Sequence, residues 1–193
     1  MKLYQFQGSS FSEKIRRVLA YKGLEYEGIN ASSEEKREEL VRISGRGMVP
    51  VLVDKGKVML DSTTIAQYLE DNYPDKPIYP NQPGLRGLTL LVEDWADEVL
   101  NRPVKPLALS HQKKRELSKE EREKFIRELD SCLNTLDAIF STQEWLVASR
   151  FTLADIAVSA QVWRMSAFPE GQAVESHPHL VQWKKRVDEI LGG

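Results

Sequence analysis

Four prolines, at positions 74, 77, 80 and 83, fall within ten residues, and no other feature constrains the fold of this chain as much. Proline fixes φ and has no amide hydrogen, so a run this dense excludes both a helix and a central strand. It reads as a stiff, extended linker. The hydrophobic period differs on its two sides, which predicts a first domain over 1–73, a linker over 74–84 and a second domain over 85–193.

Before the prolines, strand and helix patterns alternate. Lys2 to Gln7 is short and aromatic and suits a first strand. Phe11, Ile15, Val18 and Leu19 then recur at helical spacing, with Lys22 in the last turn and Gly23 as a stop. A strand over Tyr26 to Ile29 follows, then a helix from about Ser33 to Ile43, for which Ser32 and Glu35 are spaced as a capping box. Val51 to Val53 and Val58 to Leu60 flank Asp54-Lys55-Gly56-Lys57 and read as a β-hairpin. Ser62 opens a helix through Ile65, Ala66 and Leu69 to about Asn72.

After the prolines no strand is expected. Helical patterns occupy Leu85 to Leu100, Lys119 to Phe140, Thr152 to Met165 and His179 to Leu191, with Pro103 and Pro106 predicting a kink or break in the first. In the long helix, Phe125, Leu129, Cys132, Leu133, Leu136, Ile139 and Phe140 share one face, so Cys132 reads as core.

Charge narrows the partners. Lys plus Arg (27) nearly balance Asp plus Glu (29), leaving no strong field to attract nucleic acid or an anionic membrane. No apolar run approaches a bilayer span and no secretory signal is present, and a single cysteine fits a reducing compartment. These features point to the cytoplasm. His177-Pro178-His179 lacks a third ligand nearby and reads as a helix entry, so no metal is expected.

Three places could carry chemistry. In Met48-Val49-Pro50, a cis bond before the proline would turn the Val49 backbone outward to pair with an extended peptide, whereas a trans proline would merely start an edge strand. Gly8-Ser9-Ser10-Phe11-Ser12 lies between the first strand and the first helix, where free N–H groups favour an anion such as a thiolate. Taken singly, each serine there is equally well a helix cap, and Ser10 with Glu13 has capping-box spacing. Asp61-Ser62 could hold an amine and a carboxylate respectively, or be a plain helix start. No Gly-x-Ser-x-Gly elbow and no nearby His support a hydrolase.

Together, Ser9-Ser10-Phe11-Ser12-Glu13-Lys14-Ile15-Arg16, Met48-Val49-Pro50, Asp61-Ser62 and Phe151-Thr152-Leu153-Ala154-Asp155-Ile156-Ala157 resemble the cytosolic glutathione transferases, and the loop at Ser9 is most similar to Ser-type, zeta-like members. The resemblance implies an α/β thioredoxin-like N-terminal domain and an all-α C-terminal domain, with a cleft for glutathione and a small electrophile. Carried over by match, Ser9 is the catalytic residue that activates the glutathione sulfur, with Ser10 and Ser12 as alternatives. Ser10, Phe11, Met48, Val49, Pro50, Asp61 and Ser62 bind the tripeptide. Met48 departs from the Lys or Gln common at that position, and Ala148-Ser149 replaces a usual Gly-Asp. Conjugation to an electrophile is the implied activity. Isomerisation of a maleylacetoacetate-like double bond, or a scaffold that keeps the fold, are the alternatives. The family also implies a two-fold homodimer and an apolar pocket near Trp95.

Overall fold

The computed structural model describes residues 1–192 in two compact units, Met1–Ile78 and a second that begins at Tyr79. In the first, β1 (Lys2–Gln5), α1 (Ser10–Lys22), β2 (Glu27–Asn30), α2 (Glu34–Ser44), β3 (Val51–Asp54), β4 (Lys57–Leu60) and α3 (Ser62–Asn72) follow one another. The strands form one mixed sheet in the order β2-β1-β3-β4. β1 and β2 are parallel, and the other two pairings are antiparallel. This is the expected α/β order.

Two details differ from the sequence reading. β1 stops at Gln5, because Phe6 turns its N–H to the Ser12 hydroxyl 3.4 Å away and so leaves the ladder. The cap of α2 is Ser33, whose hydroxyl accepts from the Lys36 N–H at 3.3 Å. Ser32 instead donates to the Asn30 carboxamide at 2.6 Å, so the box with Glu35 does not form. Boundaries also shift in β2, which runs Glu27–Asn30, and in the hairpin, where Asp54 and Lys57 belong to the strands. Gly23 takes φ 68° and closes α1, with its own N–H on Ala20 and that of Leu24 on Leu19. Lys55 and Gly56 both hold positive φ, the two-residue turn whose twist matches a hairpin.

Register sends alternate side chains to opposite faces of the sheet. Tyr4, opposite Ile29 and Val51, gathers Ala31, Leu40, Ile43 and Leu60 into one cluster, so α2 covers that face. The Tyr4 hydroxyl also donates to Glu39 of α2 at 2.6 Å. Leu3, Leu52 and Met59, one residue along, are buried on the other face, where α3 packs on the hairpin and α1 on α3.

The Pro-rich run is anchored rather than loose. Lys22, its side chain almost wholly buried, pairs with Glu70 at 2.7 Å and donates to the carbonyls of Tyr73, Asp75 and Lys76. Glu70 in turn accepts the Ile78 N–H at 3.1 Å.

The second unit comprises α4 (Pro83–Asp94), a π-helical stretch (Trp95–Leu100), α5 (Asn101–His111), α6 (Lys119–Phe140), α7 (Leu153–Met165), a 3-10 helix (Pro169–Ser176) and α8 (Pro178–Leu191). Of the kink or break expected at Pro103 and Pro106, the break does not occur, and the helical path continues to His111. A helical proline crowds the carbonyl four residues back. For Pro103 that carbonyl belongs to Val99, inside the wider π winding, where the Asn101 N–H reaches Ala96 instead. The 3-10 helix carried no sequence signal. Gly171 within it lies so close to the Met165 carbonyl that a Cβ would sit 2.0 Å from the oxygen.

α7 is buried along its whole length except at Trp163, its polar side chains Asp155, Ser159, Gln161 and Arg164 included. Asp155 in its first turn accepts the N–H groups of Thr152 and Leu146 and the indole N–H of Trp183, each at 3.0–3.1 Å. Trp183 stacks on Phe140, with ring centroids 4.7 Å apart. Asp137 of α6 caps α8 from outside, accepting from His179 and Leu180. His177-Pro178 is indeed the helix entry. Cys132 is buried on the inner face of α6. Among the described residues no helix is long and apolar enough to cross a membrane.

Candidate functional site

Strand register brings the three candidate segments to one end of the sheet. Tyr4 of β1 lies opposite Val51 of β3, and Val51 opposite Leu60 of β4. The loop after β1, the approach to β3 and the exit from β4 therefore emerge side by side, carrying Ser9, Val49-Pro50 and Asp61-Ser62.

Ser9 is the N-cap of α1, in extended backbone, and its hydroxyl accepts the Ser12 N–H at 3.2 Å. Its own N–H is taken by Phe6. Of the orphan donors that every helix start leaves, those of Ser10 and Phe11 keep no partner among the described residues. The three serines differ in access: Ser12 is fully buried and Ser10 nearly so, while Ser9 is half-buried. Glu13 does not close a box with Ser10. Its carboxylate instead takes Arg16 and Arg17, and Arg16 reaches on to the Gln5 carboxamide at 2.8 Å.

The Val49-Pro50 peptide is cis. Neither the N–H nor the C=O of Val49 has a hydrogen-bond partner among the described residues, although its side chain packs in the cluster around Tyr4 and Phe6. Met48 beside it is 60% exposed. The bend thus offers a free peptide unit at the sheet end.

Asp61 rather than Ser62 caps α3. Its Oδ1 accepts from Thr63 and Thr64 at 3.0 and 3.1 Å, from a backbone with φ 73°. The sequence reading gave the carboxylate to a ligand amine, yet one of its oxygens is engaged by the helix. Ser62 is buried in the first turn, and Asp61 is exposed.

Two charged residues at this end were not singled out from the sequence. Lys14 is 1% exposed, with its ammonium 5.8 Å from the Phe11 ring centroid. Its position between Phe11 and Val18 on the inward helical register was the available signal. Arg46, in the loop between α2 and β3, has a buried Nε with no hydrogen-bond partner, which no sequence pattern reveals.

Together these segments can hold an anion at the start of α1 and an extended peptide along the bend. The N-terminal domain model of the glutathione S-transferases matches residues 3–77, and the C-terminal domain model matches residues 92–190. A stringent starvation protein A homolog from Haemophilus ducreyi is 25% identical, over 100% of this chain and 90% of that protein. A probable maleylacetoacetate isomerase from Caenorhabditis elegans is 29% identical, over 86% of this chain and 79% of its own length. The fold is that of a glutathione transferase URE2P8 from Phanerochaete chrysosporium, solved with oxidized glutathione, at TM-score 0.84 and 19% identity over 99% and 91% of the two chains. With its sheet-containing first unit, its helical second unit and both domain models matched, the chain belongs to the glutathione S-transferase family.

Proposed function

We propose that this protein binds glutathione and activates its thiolate for attack on a small electrophile. The observation that supports this reading best is the convergence, at one sheet end, of two open N–H groups at the start of α1 and an unpaired peptide unit at Val49. In this reading the cysteinyl backbone pairs with Val49, its sulfur rests over Ser9, and the γ-glutamyl end reaches Asp61 and Ser62.

Ser9 has the chemistry required. A hydroxyl offers one donor and two acceptor positions, so accepting from Ser12 leaves the O–H able to donate to sulfur. Lowering a thiol pKa by roughly two units requires about 2.7 kcal/mol, within reach of a charge-assisted hydrogen bond plus the helix terminus. A serine cannot carry out thiol–disulfide exchange, which needs a protein sulfur. The activity is therefore addition or transfer rather than reduction.

Calorimetric binding of glutathione, combined with thiolate ultraviolet absorbance near neutral pH, tests the reading. Binding with an ionised sulfur supports it, and binding of neither form rejects it. Side-by-side turnover of an aryl halide and a maleyl-type cis double bond then separates conjugation from isomerisation, the outcome favoured by the likeness to the Caenorhabditis elegans protein. A second reading, a binding protein that keeps the fold without transfer, takes its support from the Haemophilus ducreyi relative, whose name denotes no transfer reaction. It requires that no turnover be found with either substrate.

A further inference from the structure

We propose that Ser12 is a positioning residue for the Ser9 hydroxyl: it sets the direction of the Ser9 O–H and thereby the acidity of a thiol bound over it. This rests on the glutathione reading above. Hydrogen bonds close a ring between the end of β1 and the first turn of α1. The Phe6 N–H donates to the Ser12 hydroxyl at 3.4 Å, the Ser12 N–H donates to the Ser9 hydroxyl at 3.2 Å, and the Ser9 N–H returns to the Phe6 carbonyl at 3.2 Å.

Each bond removes one freedom of Ser9. The return to Phe6 is a reverse turn over residues 6–9, and it fixes the Ser9 backbone only as firmly as Phe6 itself is fixed. Phe6 has left the sheet, since β1 ends at Gln5, and its N–H rests on the Ser12 hydroxyl instead. Ser12 is 0% exposed, so its hydroxyl serves the loop and is out of reach of a ligand, whereas Ser9 is half-buried. The Ser12 N–H then fills one acceptor position of the Ser9 oxygen and leaves the O–H fewer directions to take. A hydroxyl that accepts a hydrogen bond is also the better donor. On the far side, the Glu13 N–H holds the Ser9 carbonyl at 2.9 Å.

Without the Ser12 hydroxyl the Phe6 N–H loses its acceptor, the turn loosens, and the Ser9 O–H spends time pointing away from sulfur. Ser12 touches neither the peptide nor its thiol in this scheme. All of its effect on the thiol passes through Ser9.

The test titrates the thiol of bound glutathione by its thiolate ultraviolet absorbance in the wild type, Ser12→Ala, Ser9→Ala and the double variant. Calorimetry with γ-glutamyl-alanyl-glycine, which lacks the thiol, reads peptide affinity separately, and hydrogen exchange reads the Phe6 amide. Ser12→Ala should raise the pKa of the bound thiol by about 0.5 to 1 unit, roughly a three- to tenfold loss of thiolate at pH values below it. Affinity for the thiol-free peptide should not change. In the Ser9→Ala background the same substitution should add no further shift, the signature of a residue that acts through another. The Phe6 amide should exchange about tenfold faster in Ser12→Ala than in the wild type, the ordinary worth of one hydrogen bond. A wild-type Phe6 amide that exchanges as fast as an unbonded one overturns the inference without any variant. So does an unshifted titration in Ser12→Ala, or a shift that adds in full to that of Ser9→Ala. Weaker binding of the thiol-free peptide by Ser12→Ala would mark a merely structural role and overturns it too. If the wild type binds neither peptide, the glutathione reading falls and this inference falls with it.

Discussion

The Ser9 hydroxyl accepts the Ser12 N–H and so caps α1 whether or not a ligand is present. Removing it therefore has two separable effects. Ser9→Ala should lower stability by about 1 kcal/mol, the usual worth of such a cap, read as a small drop in melting temperature. Independently, it should raise the pKa of bound glutathione by about one to two units if the O–H donates to sulfur. A melting shift with no change in the thiol titration would reduce Ser9 to a cap. Asp155 makes a second residue-scale case. Burial pushes its carboxyl up to about 6, against hydrogen bonds from Trp183, Leu146 and Thr152 that hold it down. A raised carboxyl binds its proton more tightly when folded, so its contribution is fullest below its ordinary value and is lost as pH rises toward 6. Asp155→Asn should destabilise at every pH, by about 1–3 kcal/mol, because its Oδ1 still accepts from Leu146 and Trp183 but its NH2 replaces the oxygen that accepts the buried Thr152 N–H. Its penalty should be larger at pH 4.5 than at pH 7. Denaturant titrations of both proteins at the two pH values check this, and the opposite order would mean the bonds outweigh burial.

At the scale of elements, the anchoring of the Pro-rich run depends on one side chain. Lys22 ends α1 yet binds the Glu70 carboxylate and three carbonyls at the end of α3 and beyond it. Lys22→Met should cost about 3–5 kcal/mol, since it leaves a mostly buried carboxylate without its cation. Adding Glu70→Gln to that variant should recover part of the loss, and a strictly additive double variant would mean that the pair is not coupled. The position of Lys22 in a last helical turn was legible, but its role was not, because a basic residue there is ordinarily solvated and serves the helix dipole. The same limit applies to Pro103. Proline predicts a break, and only the upstream π winding, which no local pattern encodes, lets the helix pass through.

For the whole molecule, the near balance of charge leaves specificity to shape and to individual groups. If the two-fold homodimer that the resemblance implies forms through α4, the residues it covers are Leu88 and Leu91, 42% and 63% exposed. Sedimentation should then give twice the 22.1 kDa chain mass, and Leu91→Lys should shift the protein toward monomer with its melting temperature little changed. A wild type that sediments as a monomer at all concentrations rejects the pairing.

Periodicity and punctuation alone determined the order of strands and helices, the change of architecture at the prolines, and the stops at Gly23 and Gly56, because these are local preferences of the backbone. The serine loop, the proline at 50 and the pair at 61–62 were likewise visible as residues. Tertiary structure decided which of them meet: the antiparallel register of β1, β3 and β4 sets three distant segments at one sheet end. It also decided that Asp61 rather than Ser62 caps α3, and that Lys14, Lys22 and Arg46 are withdrawn from solvent in whole or in part. Burial and partnership of a charge depend on what the rest of the chain packs around it, and that is a property of the folded molecule rather than of any window of sequence.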